Sequence, residues 1–366
     1  MLSVTMESIP QKLEEFKQQY QEKRQLYETF ALRLQELLKE LTQGANIPCD
    51  KIVYRVKALE SFLDKIERKT YTAPFEQIKD LAGVRVVTYY LDDVERVRQL
   101  IYQEFTVDEQ HSVDKIMRLG PEEFGYRSVH LIIAVSEPRV NLHEWSPFAG
   151  LTAEIQIRTI LQHAWADLSH KIDYKLTSQA PLELRRRLFR LSALMELADE
   201  EFTALRDQAE HIVSGYKRQM SQDELEIPIN LDSLREFIEQ KVELQQWEAF
   251  GVRAGMEPFP QLISRYHAIG LQILLLTLQT VEITTIAEFE GLFEQFEKQH
   301  EQLKNFVDLV KTKGGSVHAV PMDVLILLTS IVKARQIPAD FHWGGKYEDF
   351  YIDALQDVLS YERKTT

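Results

Sequence analysis

Residues 51–69 carry six cations and three anions in a chain whose overall formal charge is −14. The cations are Lys51, Arg55, Lys57, Lys65, Arg68 and Lys69; the anions are Glu60, Asp64 and Glu67. If the segment from Ala58 is helical, Lys57, Ser61, Lys65 and Arg68 fall at i, i+4, i+8 and i+11, on one face. Leu59, Phe62, Leu63 and Ile66 then form the apolar stripe beside it. Lysine and arginine supply charge-assisted donors and serine a neutral one, which is the chemistry of holding a polyphosphate. Alone, the same pattern also describes a solvated helix face laced with ion pairs.

Two acidic motifs follow. Asp80 opens Asp80-Leu81-Ala82-Gly83-Val84-Arg85 at the mouth of a strand-like run to Tyr90, where Gly83 permits close approach of a backbone or ligand. In Glu154-Ile155-Gln156-Ile157-Arg158-Thr159, alternation puts Glu154, Gln156 and Arg158 on one face and Ile155 and Ile157 on the other. Asp80 and Glu154 suit Mg²⁺, with phosphates completing its shell, and either could accept a proton from an attacking hydroxyl. A buried salt-bridge network, for example Glu154 with Arg85 or Arg158, is the competing account. Between them, Gly125-Tyr126-Arg127-Ser128-Val129-His130 puts Tyr126, Ser128 and His130 on one strand face. There the Tyr126 ring could stack on a base, or simply belong to the core.

These residues need elements to position them. Leu13, Phe16, Tyr20, Leu26, Phe30, Leu34 and Leu37 predict one helix from about Ile9 to Leu41, stopped by Gly44. From Lys51 to about His170, β-branched runs alternate with amphipathic segments, a mixed α/β pattern. Strands are expected at 84–90, 129–135 and 153–157, and Asp92 is expected to cap a helix through Val94, Val97 and Ile101. After Pro181 the pattern becomes helical throughout, beginning with a long helix over 182–217. The expected division is therefore a catalytic unit over 1–180 and an all-helical region over 181–366.

Bulk composition, with 44% hydrophobic and 27% charged residues, is that of a soluble globular protein. The acidic balance argues against coating DNA or other nucleic acid through bulk charge. One cysteine, Cys49, excludes an internal disulfide framework and suits a reducing, cytoplasmic setting, and no apolar run has the length to span a membrane.

The motifs from Lys51 to Lys175, closing with Trp165-Ala166, His170 and Lys175, resemble in type and order the synthetase domain of RelA/SpoT-type alarmone synthetases. The long first helix resembles that of the small, single-domain members. The resemblance implies an α+β fold, a mixed nucleotidyltransferase-like sheet flanked by helices. It implies a GTP pyrophosphokinase using Mg²⁺, which moves the β,γ-pyrophosphate of ATP to the 3′-hydroxyl of GDP or GTP. It assigns Arg55 and Arg85 to the adenine ring and Lys57, Ser61, Lys65 and Arg68 to the ATP phosphates. Asp80 is assigned to metal, and Glu154 to metal or to the acceptor hydroxyl. Tyr126 is assigned to stacking on the acceptor base, with His130 and Gln156 nearby. Many members have Lys-Pro-Asn before the Gly-Tyr pair, where this chain has Glu122-Glu123-Phe124. That departure leaves the acceptor open, including the adenine nucleotides and tRNA 3′-CCA ends used by toxic relatives. The C-terminal region could restrain the site, bind a partner or build a homo-oligomer.

Overall fold

In the computed structural model, the structure describes residues 9–114, 128–175, 182–258, 264–338 and 349–365. The chain divides into two compact units, Met1–Asp207 and Gln208–Thr366. The division falls within a long helix, beyond the composition change at 181.

The first unit is a mixed sheet with helices. In chain order it contains α1 (Ile9–Gly44), β1 (Cys49–Val56), α2 (Leu59–Lys69), α3 (Pro74–Gln77), β2 (Ala82–Thr88), α4 (Leu91–Glu104), β3 (Phe105–Val107), β4 (Val113–Asp114), β5 (Val129–Val135), α5 (Glu137–Val140), β6 (Thr152–Thr159) and α6 (Ile160–Lys175), then the first part of α7 (Leu182–Ser221). The strands run β1-β2-β6-β5-β3, with β4 also on β5. Among the described strands of this sheet, β2 and β6 pair in parallel and the other pairings are antiparallel.

Period-2 alternation gives this sheet two unlike faces. Val84 and Val86 of β2, Ile155 and Ile157 of β6, and Leu131 and Ile133 of β5 join one apolar core. Helix α1 completes that core with Tyr20, Tyr27, Phe30, Leu34 and Leu38. The opposite face, fixed by the registers Arg55↔Gly83, Gly83↔Glu154, Arg85↔Gln156 and His130↔Gln156, is polar. The expectation for Asp92 needs correction. Tyr90 is the N-cap of α4 and makes no side-chain cap bond. Asp92 instead accepts two hydrogen bonds from Arg206 of α7, at 2.9 and 2.7 Å. A bidentate guanidinium outcompetes local capping because both carboxylate oxygens gain a charged donor.

The second unit contains the rest of α7 and α8 (Leu231–Lys241), α9 (Leu244–Arg253), α10 (Ser264–Thr280), α11 (Ile286–Glu290), α12 (Phe293–Phe296), α13 (His300–Thr312), α14 (Pro321–Val332) and α15 (Asp349–Thr365). It is helical and has its own core, in which Val324 to Leu328 of α14 are all buried. Capping boxes start two of its helices, Asn230 with Ser233 and Thr285 with Glu288. No helix among the described residues is long and apolar enough to cross a membrane.

Candidate active site

Two ion-paired clusters form at one end of the β1–β2 pair. Lys57 follows β1 and Lys65 lies two turns along α2. They donate to the two oxygens of Asp80 at 2.6 and 2.9 Å. The predicted helical face therefore has an anion at its centre. Burial would raise the Asp80 pKa, but the hydrogen bonds and charges of Lys57 and Lys65 outweigh it and hold the carboxyl below its usual range. Ser61 and Arg68 stay exposed on the same helix.

The loop carrying Lys57 is tied down from α1. The hydroxyl of Tyr20 donates to the Lys57 carbonyl at 2.5 Å, and its ring stacks on Phe62 of α2 at 4.4 Å. Burial pushes the Tyr20 phenol up to about 12, so it remains a donor across the ordinary pH range. Sequence periodicity marks Tyr20 as core, but a backbone acceptor has no sequence signal.

The second cluster is centred on Glu154. Arg55, on β1, reaches across Gly83 to donate to Oε2 at 2.6 Å, and Gln156 donates to the same oxygen at 2.7 Å. His130 Nδ1 meets Oε1 at 2.9 Å. Arg158 donates to Gln156 Oε1 at 3.0 Å and lies 3.3 Å from His130 Nε2. Arginine can only donate, so Nε2 is the acceptor and Nδ1 carries the proton that points at Glu154. Ser128 Oγ is also 2.8 Å from Nε2. Burial disfavours the Glu154 charge, yet His130, Arg55 and Gln156 together bring its pKa down to about 2. The competing salt-bridge account is thus right about a network: Arg55 and His130 bond Glu154 directly, while Arg158 feels its charge and joins through Gln156.

This face has an excess of positive charge. Arg158 is 8% exposed, and its Nε, like that of Arg85, is buried with no hydrogen-bond partner. Burial, then Arg85 and Arg55, lower the Arg158 pKa to about 10. Five cations (Arg55, Lys57, Lys65, Arg85 and Arg158) therefore surround two carboxylates. Sequence reasoning placed Arg158 on the right face but did not count it in the site; its alternation with Glu154 and Gln156 was the available signal. Tyr126, with the rest of residues 115–127, lies outside the described residues, as do the side chains of His170 and Lys175.

The family model for the region found in RelA/SpoT proteins matches residues 54–179. GTP pyrophosphokinase YjbM of Bacillus subtilis is 30% identical over 174 residues, covering 47% of this chain and 78% of that protein. GTP pyrophosphokinase YwaC of the same organism is 34% identical over 179 residues, covering 46% and 79%. The chain belongs to the RelA/SpoT family. Among solved structures, B. subtilis small alarmone synthetase 1 bound to its product pppGpp is 28% identical, with a TM-score of 0.45 over 52% of this chain and 98% of that one. In this RelA/SpoT-family chain the matched span holds every residue of both clusters except Tyr20. Its mixed sheet and flanking helices are those the resemblance implied.

Proposed function

We propose that this chain is an ATP-dependent pyrophosphokinase whose acceptor is GDP or GTP. In that reaction the acceptor 3′-oxygen attacks the β-phosphorus of ATP. The bond from that phosphorus to the α,β-bridging oxygen breaks, AMP leaves, and the hydroxyl proton passes to a base. The observation that carries the reading is the polar site beside the sheet, where Arg55, Lys57 and Lys65 hold two ionised carboxylates and the Nε groups of two further arginines, Arg85 and Arg158, lack hydrogen-bond partners. Such a face is poised for a polyanion. The relatives' activity as GTP pyrophosphokinases supports the reaction class.

In this reading Lys57 and Lys65, spaced by their bonds to Asp80, turn their remaining ammonium hydrogens to the donor phosphates, and Ser61 and Arg68 extend the same helix face along them. Arg55, 44% exposed in its side chain, and Arg85 take the adenine. Tyr126, His130 and Gln156 serve the acceptor. Each Asp80 oxygen accepts one lysine bond and keeps a second lone pair, so Asp80 with Glu154 suits Mg²⁺ as a hard oxygen donor. The ion would supply neutralisation of phosphate charge. The chain's own work is positioning and electrostatic stabilisation, as expected for phosphoryl-type transfer.

The deciding assay supplies ATP labelled at either the β or the γ phosphate, with GDP, GTP, ATP and deacylated tRNA offered in parallel. Both labels should move to GDP or GTP. Movement of the γ label alone would mean a simple kinase, and label only on ATP or tRNA would mean a different acceptor; either result rejects the proposal.

Gly83 gives a second test. A Cβ there would sit 3.0 Å from the Glu154 carbonyl oxygen and 3.4 Å from Arg55 Nε. Gly83→Ala should lift Arg55 out of place and raise the KM for ATP about ten-fold, with a smaller fall in kcat. An unchanged KM would remove Arg55 from donor binding.

A further inference from the structure

Lys57 is held by its backbone as well as by its side chain. Its N–H donates to the Leu81 carbonyl at 3.0 Å, next to Asp80, and its own carbonyl accepts from the Tyr20 hydroxyl at 2.5 Å. The first bond continues the β1–β2 ladder, in which Val56 pairs with Ala82. The second comes from α1, 37 residues earlier in the chain. Helix α1 makes a like bond further back on the same strand, where Gln35 Nε2 donates to the Ile52 carbonyl at 2.7 Å. Among the described strands β1 ends the sheet, with β2 as its one neighbour, so α1 provides the hold that a second strand would otherwise give.

Tyr20 is built to hold still. It is fully buried, its ring stacks on Phe62 of α2, and the ring of Tyr27 lies 6.3 Å away on its own helix. Packing on both sides fixes where the hydroxyl points. The Lys57 ammonium reaches Asp80 at 2.6 Å from a backbone that Leu81 and Tyr20 keep in place. Without the hydroxyl the Lys57 carbonyl loses this donor, and the turn between β1 and α2 is free to shift. Even a small misplacement of a group that positions a substrate lowers its effect. Tyr27 gives the contrast: seven residues further along α1 and 4% exposed, it has no hydrogen bond to this turn among the described residues. Tyr20 also lies outside residues 54–179, the span matched by the family model.

We propose that Tyr20 is a positioning residue of the donor site, setting Lys57 for the ATP phosphates through its backbone carbonyl. This rests on the assignment of Lys57 to the donor phosphates. The probe is ATP with a methylene group in place of the α,β-bridging oxygen, which the proposed reaction cannot cleave, bound to the full chain with Mg²⁺. Tyr20→Phe keeps the stacked ring and removes only the hydroxyl. It should weaken binding about three- to ten-fold and raise the KM for ATP in step, leaving kcat and the acceptor KM within about two-fold. Tyr27→Phe should leave binding unchanged. In a Lys57→Ala background Tyr20→Phe should add little, because the hydroxyl acts through Lys57. The proposal is overturned if Tyr20→Phe binds as the wild type does, if Tyr27→Phe weakens binding equally, or if the loss is the same with Lys57 replaced. That last comparison separates positioning from a loosened fold even if Tyr20→Phe lowers the melting temperature. A wild type that binds no analogue would instead reject the assignment of ATP to this site, and the role of Tyr20 with it.

Discussion

Asp80→Asn is expected to lower kcat by about two to three orders of magnitude, the range for removing one preorganised electrostatic group. The expected effect is large because Asp80 organises two lysines at once. In the wild type each carboxylate oxygen accepts one ammonium. Asparagine keeps a single acceptor and turns an NH₂ group toward the other lysine, donor against donor. One of Lys57 and Lys65 must then move, and the pair of cations that the proposed reaction aims at the donor phosphates loses its spacing. The variant also loses the ionised oxygens that the proposed reaction would offer to Mg²⁺. The fold should survive, since the buried core on the other sheet face is untouched. Initial rates beside a thermal melt separate the outcomes. A folded Asp80→Asn protein within ten-fold of wild-type turnover would take Asp80 out of the reaction.

The sequence resolved this site unevenly, and the reasons are physical. Helix α1 was legible almost to its ends, because its apolar residues recur at helical spacing and Gly44 ends it. The strands β2, β5 and β6 were legible from β-branched runs, and alternation correctly put Glu154, Gln156 and Arg158 on one face. The strand β1 was harder. Its residues Cys49–Val56 include Asp50, Lys51 and Arg55, so charge hides the alternation at the sheet edge. Arg55 and Glu154 lie 99 positions apart and meet only because β2 sits between their strands. Nothing local announces that register. Lys57 and Lys65 could be aligned on a helix, but their shared anion depended on how α2 docks beside the start of β2. Asp92 shows the opposite failure, a local capping signal overruled by an arginine 114 residues away.

Glu154→Gln should cost about two orders of magnitude in kcat while ATP binding changes only a few-fold. In the ligand-free arrangement Glu154 is a weak base, held down to about 2 by His130, Arg55 and Gln156 against the effect of burial. Arg55 holds Glu154 through a half-exposed side chain that, in the proposed reaction, turns to the donor. Its departure would remove one of the three groups that hold the carboxylate ionised and leave Glu154 more basic when an acceptor hydroxyl is in place. Glutamine cannot take a proton or answer the His130 and Arg55 donors with charge. Stability gives an independent check with a defined sign. The folded pKa lies below the ordinary 4.5, so the ionised group stabilises the fold above that value. This contribution is lost as pH falls from 4.5 toward about 2. Urea midpoints for wild type and Glu154→Gln should therefore differ most at neutral pH and converge across that acid window. A gap that persists unchanged to low pH would show that the stabilisation does not come from the ionised carboxylate. Turnover unaffected by the substitution would assign the base to another group.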